Sequence, residues 1–337
     1  MPQLKLLLGC QENRAEFQNE NQTRACLCSV SMVTEKREQN HKCQSMIPNA
    51  KKPVIVREVW AENLEQEFNL IRFVRPYYPV ASLDTEFPGV IYLPNVDKPF
   101  YSEMSPSENY KIMKSNVDAL NIIQVGLTLS DCHGNFPDFG TGTGFIWEFN
   151  FRDFSVEGDR QNPNSIELLR QQGIDFAKNR DKGIDSNDFK MQILQSGLLF
   201  KTSSMSWVTF HSAYDFGYLI KILIRRELPP NIEAFMWLVE FYFGPRVYDM
   251  KYMMKFCNGL YGGLDRVAKT LGVERVAGKS HQAGSDSLLT LQTFMKLLEN
   301  FCLKENHGKR DWNLNEFEGF LYGLEAKEGD SFGYRVA

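Results

Sequence analysis

From Pro53 onward, apolar and polar positions recur regularly enough to assign elements. Val54, Val56, Val59, Trp60, Leu64, Phe68, Leu70, Ile71 and Val74 follow mixed three- and four-residue steps, the pattern of an amphipathic helix with Asn63 as a candidate cap. Residues 79–87 read as a short strand stopped by Pro88-Gly89, and residues 122–129 and 145–151 as two more, separated by a glycine-rich turn region. Three sequential strands predict a meander. Helical spacing follows over 165–179 and 189–199, the first opening on Asn164-x-x-Glu167, the form of a capping box. The run from Trp207 to His211 reads as a buried strand that leads into a helix marked by Phe216, Leu219, Ile220, Leu223 and Ile224. Helices at 231–243, 249–256, 264–271 and 286–301 complete the pattern, with a strand at 246–248. The order predicts an α/β fold, a mixed sheet flanked by helices in a single domain.

The first 52 residues break this regularity. Residues 11–45 are rich in Gln, Glu, Asn, Arg and Lys and show no period, so a polar, flexible extension is expected there. Four of the chain's 7 cysteines, Cys10, Cys26, Cys28 and Cys43, fall in it. Cys26-x-Cys28 with His41-x-Cys43 offers four zinc-type ligands, although Cys-x-Cys is tighter than the usual structural spacing. Leu8-Gly9-Cys10 has the form of a lipoprotein cleavage site but lacks the apolar region that such a signal needs. The cysteine-poor remainder reads as a reduced, intracellular protein. No run approaches the roughly 20 apolar residues of a membrane-spanning helix, so no membrane partner is expected. With 38 Lys and Arg against 42 Asp and Glu, the net charge of −4 excludes a generally basic nucleic-acid binder and leaves a local cleft open.

The candidate chemistry starts at Asp84-x-Glu86. In a strand, residues two apart face the same side with Cα atoms about 6.5 to 7 Å apart, so both carboxylates can address one site. Solvated acids on an edge strand give the same spacing. Asp215 lies where the strand ending at His211 gives way to a helix, a favoured site position in α/β sheets, and Asp286 opens the last apolar helix. Each also fits a helix cap. Gly284 places His281 in a loop, from which it could converge with Asp286 on one cleft.

Three segments carry a family resemblance: Asp84-Thr85-Glu86-Phe87-Pro88-Gly89, Phe210-His211-Ser212-Ala213-Tyr214-Asp215-Phe216-Gly217, and His281-Gln282-Ala283-Gly284-Ser285-Asp286-Ser287. They resemble the three exonuclease motifs of the DEDD class, and more narrowly the carbon catabolite repressor associated factor, the nuclease subunit of the eukaryotic Ccr-Not deadenylation complex. Residues 57–70, 121–128 and 165–169 and the late Tyr322-Gly323-Leu324 extend the likeness over about residues 53–325, leaving 326–337 as a tail. The resemblance implies an RNase H-like fold and removal of poly(A) from RNA 3′ ends, releasing 5′-AMP. It implies two divalent ions, Mg²⁺ or Mn²⁺, on Asp84, Glu86, Asp215 and Asp286, with His281 as general base. Phe87 and His211 are candidate base-stacking residues; packing under the strand and a hydrogen-bonded core position are their structural alternatives.

Implied partners are poly(A) RNA, the Ccr-Not scaffold and a second deadenylase subunit, and the implied location is nucleus and cytoplasm. The Met and aromatic stripe that includes Trp237, Phe243, Met250 and Met254 reads as core or protein interface. Two positions depart from the family: Ala213 stands where Gly is usual and Glu148 where Gln is usual. An adaptor without useful activity is the competing reading, and none of the catalytic acids it would lack is missing.

Overall fold

The structure, a computed structural model, describes residues 53–94, 104–200, 203–301 and 314–325. The expectations for the 1–52 extension, its candidate zinc ligands and the 326–337 tail lie outside the described residues.

Six strands form one mixed sheet in the order β1-β4-β3-β2-β5-β6. They are β1 (Val54–Val59), β2 (Val80–Glu86), β3 (Gln124–Ser130), β4 (Gly144–Asn150), β5 (Ser206–Thr209) and β6 (Val247–Asp249). The expected meander is present: β2 pairs antiparallel with β3, and β3 with β4. The other strands add in parallel, β1 to β4, β5 to β2 and β6 to β5.

Residues 54–59 correct the sequence reading, which merged them into a helix. The helix α1 is confined to Leu64–Val74. The segment Val-Ile-Val-Arg-Glu-Val is rich in β-branched residues, which favour the pleated backbone. Asn63 does not cap α1 through its side chain. Instead its Oδ1 accepts from Trp60 N–H at 2.7 Å and its Nδ2 donates to the Glu58 carbonyl at 3.1 Å, which ties the end of the strand to the helix start. Arg57 forks onto buried Glu67 at 2.6 and 2.7 Å, and Trp147 Nε1 donates to the same carboxylate at 3.0 Å, locking β1, α1 and β4 together.

The helix α2 (Pro106–Ala119) was absent from the sequence reading, although its start has a recognisable form. Ser105 and Glu108 make a reciprocal capping box, with Pro106 in the first turn. The helix expected over 165–179 is two, α3 (Pro163–Gln172) and α4 (Phe176–Lys182), because Gly173 turns the chain at φ +107° and Asp175 caps a new start. The cap of α3 is Asn162, whose side chain accepts from Asn164 and Ser165 N–H, so the Asn164 capping box does not form. The remaining helices are α5 (Ser186–Leu194), α6 (Ala213–Ile224), α7 (Ile232–Phe243), α8 (Met250–Met253), α9 (Leu264–Thr270) and α10 (Ala283–Phe301).

The sheet is covered on both faces. On one, α10 crosses β2 and β3, and Leu291, Phe294 and Leu297 join Val80, Val208, Tyr248, Met250, Met253 and Met254 in a buried cluster. On the other, Trp207 of β5 meets Phe243 of α7 edge-on, which in turn meets Phe216 of α6. The Met and aromatic stripe therefore divides: Phe243, Met250, Met253 and Met254 are core, whereas Trp237 is 60% exposed and stacks on Phe241. Among the described residues, no helix is long and apolar enough to cross a membrane.

Candidate active site

Alternation along β2 sends Ser82, Asp84 and Glu86 toward α10 and leaves Leu83 and Thr85 on the opposite face. Across the sheet, Asp84 stands opposite Gly126 of β3, and Gly126 opposite Glu148 of β4. Gly126 is where the helix comes closest. A Cβ there would lie 1.9 Å from the Ala283 carbonyl oxygen and 2.6 Å from Gly284 N, so only glycine lets the first turn of α10 rest on the strand.

That turn is pinned by several hydrogen bonds. Gly284 N–H donates to Glu148 Oε2 at 3.0 Å, Ala283 N–H donates to Gln124 Oε1 at 3.3 Å, and Ser82 Oγ donates to the Ser287 carbonyl at 2.6 Å. Asp286, one residue before Ser287, is thereby carried to the acid pair of β2. His281 lies before the helix in a left-handed backbone conformation, φ +60°, and its N–H donates to Asp286 Oδ2 at 2.8 Å. A single donor atom from each of Glu86, His281 and Asp286 can be chosen so that all lie within 4.8 Å of one another. The loop placement of His281 expected from Gly284 thus brings it to the acids.

Asp215 arrives from the other side of β2. It sits in the first turn of α6, and Thr85 Oγ1 donates to its Oδ1 at 2.5 Å. The chain reaches α6 through His211, also left-handed at φ +62°. Fully buried Asp249, at the end of β6, holds this corner by accepting from His211 N–H at 2.8 Å, Ser212 N–H at 3.2 Å and Tyr322 N–H at 3.0 Å. The late Tyr322-Gly323-Leu324 segment has its structural use here. Ala213 is the first residue of α6 and is not among the positive-φ residues, so its methyl group imposes no backbone strain at the position where the family carries Gly.

The acids repel one another. Burial, then the neighbouring carboxylates of Asp215, Asp286 and Glu86, hold Asp84 well above the usual carboxylate range. Glu86 is raised in the same way, by burial and then by Asp286, Asp215 and Glu148. Burial pushes Asp215 up to about 7 against the opposing Thr85 hydrogen bond, and it raises Asp286 against the pull of Arg275. Glu148, pushed up to about 7 by burial and stabilised as an anion by Gly284 N–H, adds a fifth carboxyl beside the four. Such a set is costly without cations and suits hard divalent ions, which take oxygen ligands.

Of the candidate stacking residues, Phe87 is half-buried and lies against Tyr214 at 5.2 Å and 12° and against Tyr218 at 4.9 Å, directly after Glu86. His211 is exposed and meets Tyr322 edge-on at 5.0 Å, rather than occupying the core position considered as its alternative. Gly126, Asp249 and Arg275 shape the site and carry no chemical motif in the sequence. The one sequence signal among them is that Asp249 stands where a strand meets a helix, as Asp215 does.

Known proteins resemble this chain over most of its length. The family model described as CAF1 family ribonuclease matches residues 59–197, the part that contains Asp84 and Glu86. The chain is 48% identical over 275 residues to the probable CCR4-associated factor 1 homolog 7 of Arabidopsis thaliana, covering 81% of this chain and 94% of that protein. It is 42% identical to the poly(A) ribonuclease pop2 of Schizosaccharomyces pombe over 247 residues, 73% of this chain and 70% of that one. Among solved structures, the Mg²⁺- and Mn²⁺-bound form of S. pombe Pop2p matches with a TM-score of 0.70 at 40% identity, over 80% of this chain and 99% of that one. Yeast CAF1 co-crystallised with the NOT1 MIF4G domain gives a TM-score of 0.64 at 33% identity, over 82% of this chain and 100% of the matched chain. These matches extend well beyond the segment of the family model, and on them the chain belongs to the CAF1 family of ribonucleases.

Proposed function

We propose that this chain is a divalent-metal-dependent 3′ to 5′ exoribonuclease that shortens poly(A) tails and releases 5′-AMP, acting as a subunit of a Ccr-Not assembly. The observation that carries the reading is the convergence of Asp84, Glu86, Asp215 and Asp286, with His281 at the rim, in a member of this family. Support for the metals comes from the S. pombe relative with Mg²⁺ and Mn²⁺ bound, and for the substrate from the relative named a poly(A) ribonuclease. Association with a Not1-type scaffold is supported by the yeast co-crystal; docking to a second deadenylase subunit is the finer part of the proposal.

In this reading the four acids hold the ions. Divalent cations held there would make an attacking water more acidic and offset charge developing at the phosphate. His281, exposed and adjacent to Glu86 and Asp286, is placed to accept a proton from an attacking water on a ring nitrogen. Phe87, braced by Tyr214 and Tyr218, offers a ring face to the terminal base, and His211 a second contact further along the strand. Thr85 fixes the carboxylate of Asp215, and the 281 N–H that of Asp286, so neither has to be ordered when substrate arrives.

The test uses 5′-labelled RNA ending in a run of adenosines. With Mg²⁺ or Mn²⁺ the label should move down a ladder of products shortened from the 3′ end, chelator should stop it, and the matching DNA should be cut far more slowly. Full-length RNA persisting under conditions in which a known deadenylase is active would contradict the proposal.

A further inference from the structure

Arg275 lies between α9 and α10, six residues before His281, with a side chain only 16% exposed. Its Nη1 is 2.6 Å from Asp286 Oδ1 and also donates to Ser285 Oγ at 2.6 Å, while Nη2 donates to Asp265 Oδ1 at 2.7 Å. The other Asp265 oxygen accepts from Ser280 Oγ at 2.9 Å, and Ser285 Oγ donates to the Ala277 carbonyl at 2.6 Å. One guanidinium therefore ties together the start of α9, the segment that carries His281 and the first turn of α10. Among the described residues, Arg275 is the cation that forms an ion pair with any of the four acids. Asp286 is ion-paired with Arg275 through Oδ1, which accepts no hydrogen bond, and it accepts from the backbone of His281 on Oδ2.

We propose that Arg275 is the resident counter-cation of the acid cluster, a positioning residue whose charge keeps Asp286 and the His281 segment ready for metal. This rests on the metal-binding reading above. A cluster of carboxylates resists assembly, and one guanidinium at ion-pairing distance offsets part of that repulsion. Divalent ions on the same acids supply the rest and, once present, do the same electrostatic work. Arg275 and the metals are thus partly redundant, so their contributions to stability are not additive. A loop tie that acted only through Asp265 and Ser285 would have no such dependence on metal.

The experiment melts wild type, Arg275→Gln and Arg275→Lys, each as the full chain, in chelator and in Mn²⁺. In chelator, Arg275→Gln should melt about 5 °C below wild type, a shift within reach of losing one part-buried ion pair at this size. Mn²⁺ should close at least half of that gap. Arg275→Lys keeps the charge without the planar fork, and should show a smaller deficit that closes in the same way. A deficit equal in chelator and in Mn²⁺ would make Arg275 a loop tie only and overturn the inference, as would the absence of a deficit in chelator. If Arg275→Gln does not fold, the lysine variant decides by the same comparison. A wild-type melt unmoved by Mn²⁺ would instead overturn the metal reading, and the role of Arg275 with it.

Discussion

Asp84→Asn should abolish nuclease activity and yet leave a protein that is more stable in chelator than wild type. Asp84 is raised by burial and by three neighbouring carboxylates, only partly offset by Arg275, so its charge is strongly opposed by its surroundings. In the proposed metal site its loss removes a ligand, and several kcal/mol of transition-state stabilisation corresponds to a fall of about a thousandfold or more in rate. The stability effect has the opposite sign. A carboxyl raised in the folded state binds more protons there than in the unfolded chain, so metal-free stability declines as pH climbs from the ordinary carboxylate range through the folded value. The amide does not ionise, so the variant should gain a few degrees in melting temperature above neutral pH, and the gain should vanish near pH 4. Thermal melts in chelator across that range, with a single-turnover RNA assay, check both halves. An active variant would remove Asp84 from the metal site.

Gly126→Val is expected to be damaging without touching an acid. The added side chain would collide with backbone atoms of Ala283 and Gly284, the nearest at 1.9 Å from the Cβ, and backbone cannot rotate away as a side chain can. Either β3 or the first turn of α10 has to move. Overpacking of this kind costs about 1–3 kcal/mol and more where the neighbours are rigid. The functional loss should be larger, because displacing α10 withdraws Asp286 and His281 from Asp84 and Glu86. A misplacement of about 1 Å can cost about a hundredfold in rate. Gly126→Ala should show the same effects in milder form, since even its methyl carbon meets the Ala283 carbonyl. Denaturation midpoints with kcat for both variants test this; a Gly126→Val enzyme of normal rate would contradict the close approach.

The candidate acids stood out in the sequence because they break apolar contexts, but each alone also fitted a solvated edge or a helix cap, and it was the resemblance of three segments to the DEDD motifs that joined them into one site. Asp84 and Glu86 interrupt a strand buried along most of its length, and Asp215 and Asp286 open helices whose remaining turns are largely apolar. The features that assemble the acids were harder to see. Gly126 is one glycine in a strand until the helix that crosses it is known, and Arg275 looks like any cation in a polar loop. Asp249 opens a helix, as its sequence position implies, but its oxygens also hold the His211 corner and Tyr322, and those contacts depend on tertiary structure. In the fold, the parallel strand β1 was misread because Val54, Val56, Val59, Trp60 and Leu64 satisfy both a strand and a helix period over so short a span. Glu148 stood out only as a departure from the family. Its Oε2 accepts from Gly284 N–H, a bond that an amide oxygen would also accept, which accounts for its tolerance here.

In the proposed site, Asp84, Glu86, Asp215 and Asp286 gather to bind divalent ions. Crystals grown with Mn²⁺ and measured for anomalous scattering test it most directly. Two Mn²⁺ peaks should appear in the cleft between β2, α6 and α10, each within bonding distance of these carboxylates. An empty cleft at saturating Mn²⁺, or ions bound only away from these acids, would contradict it.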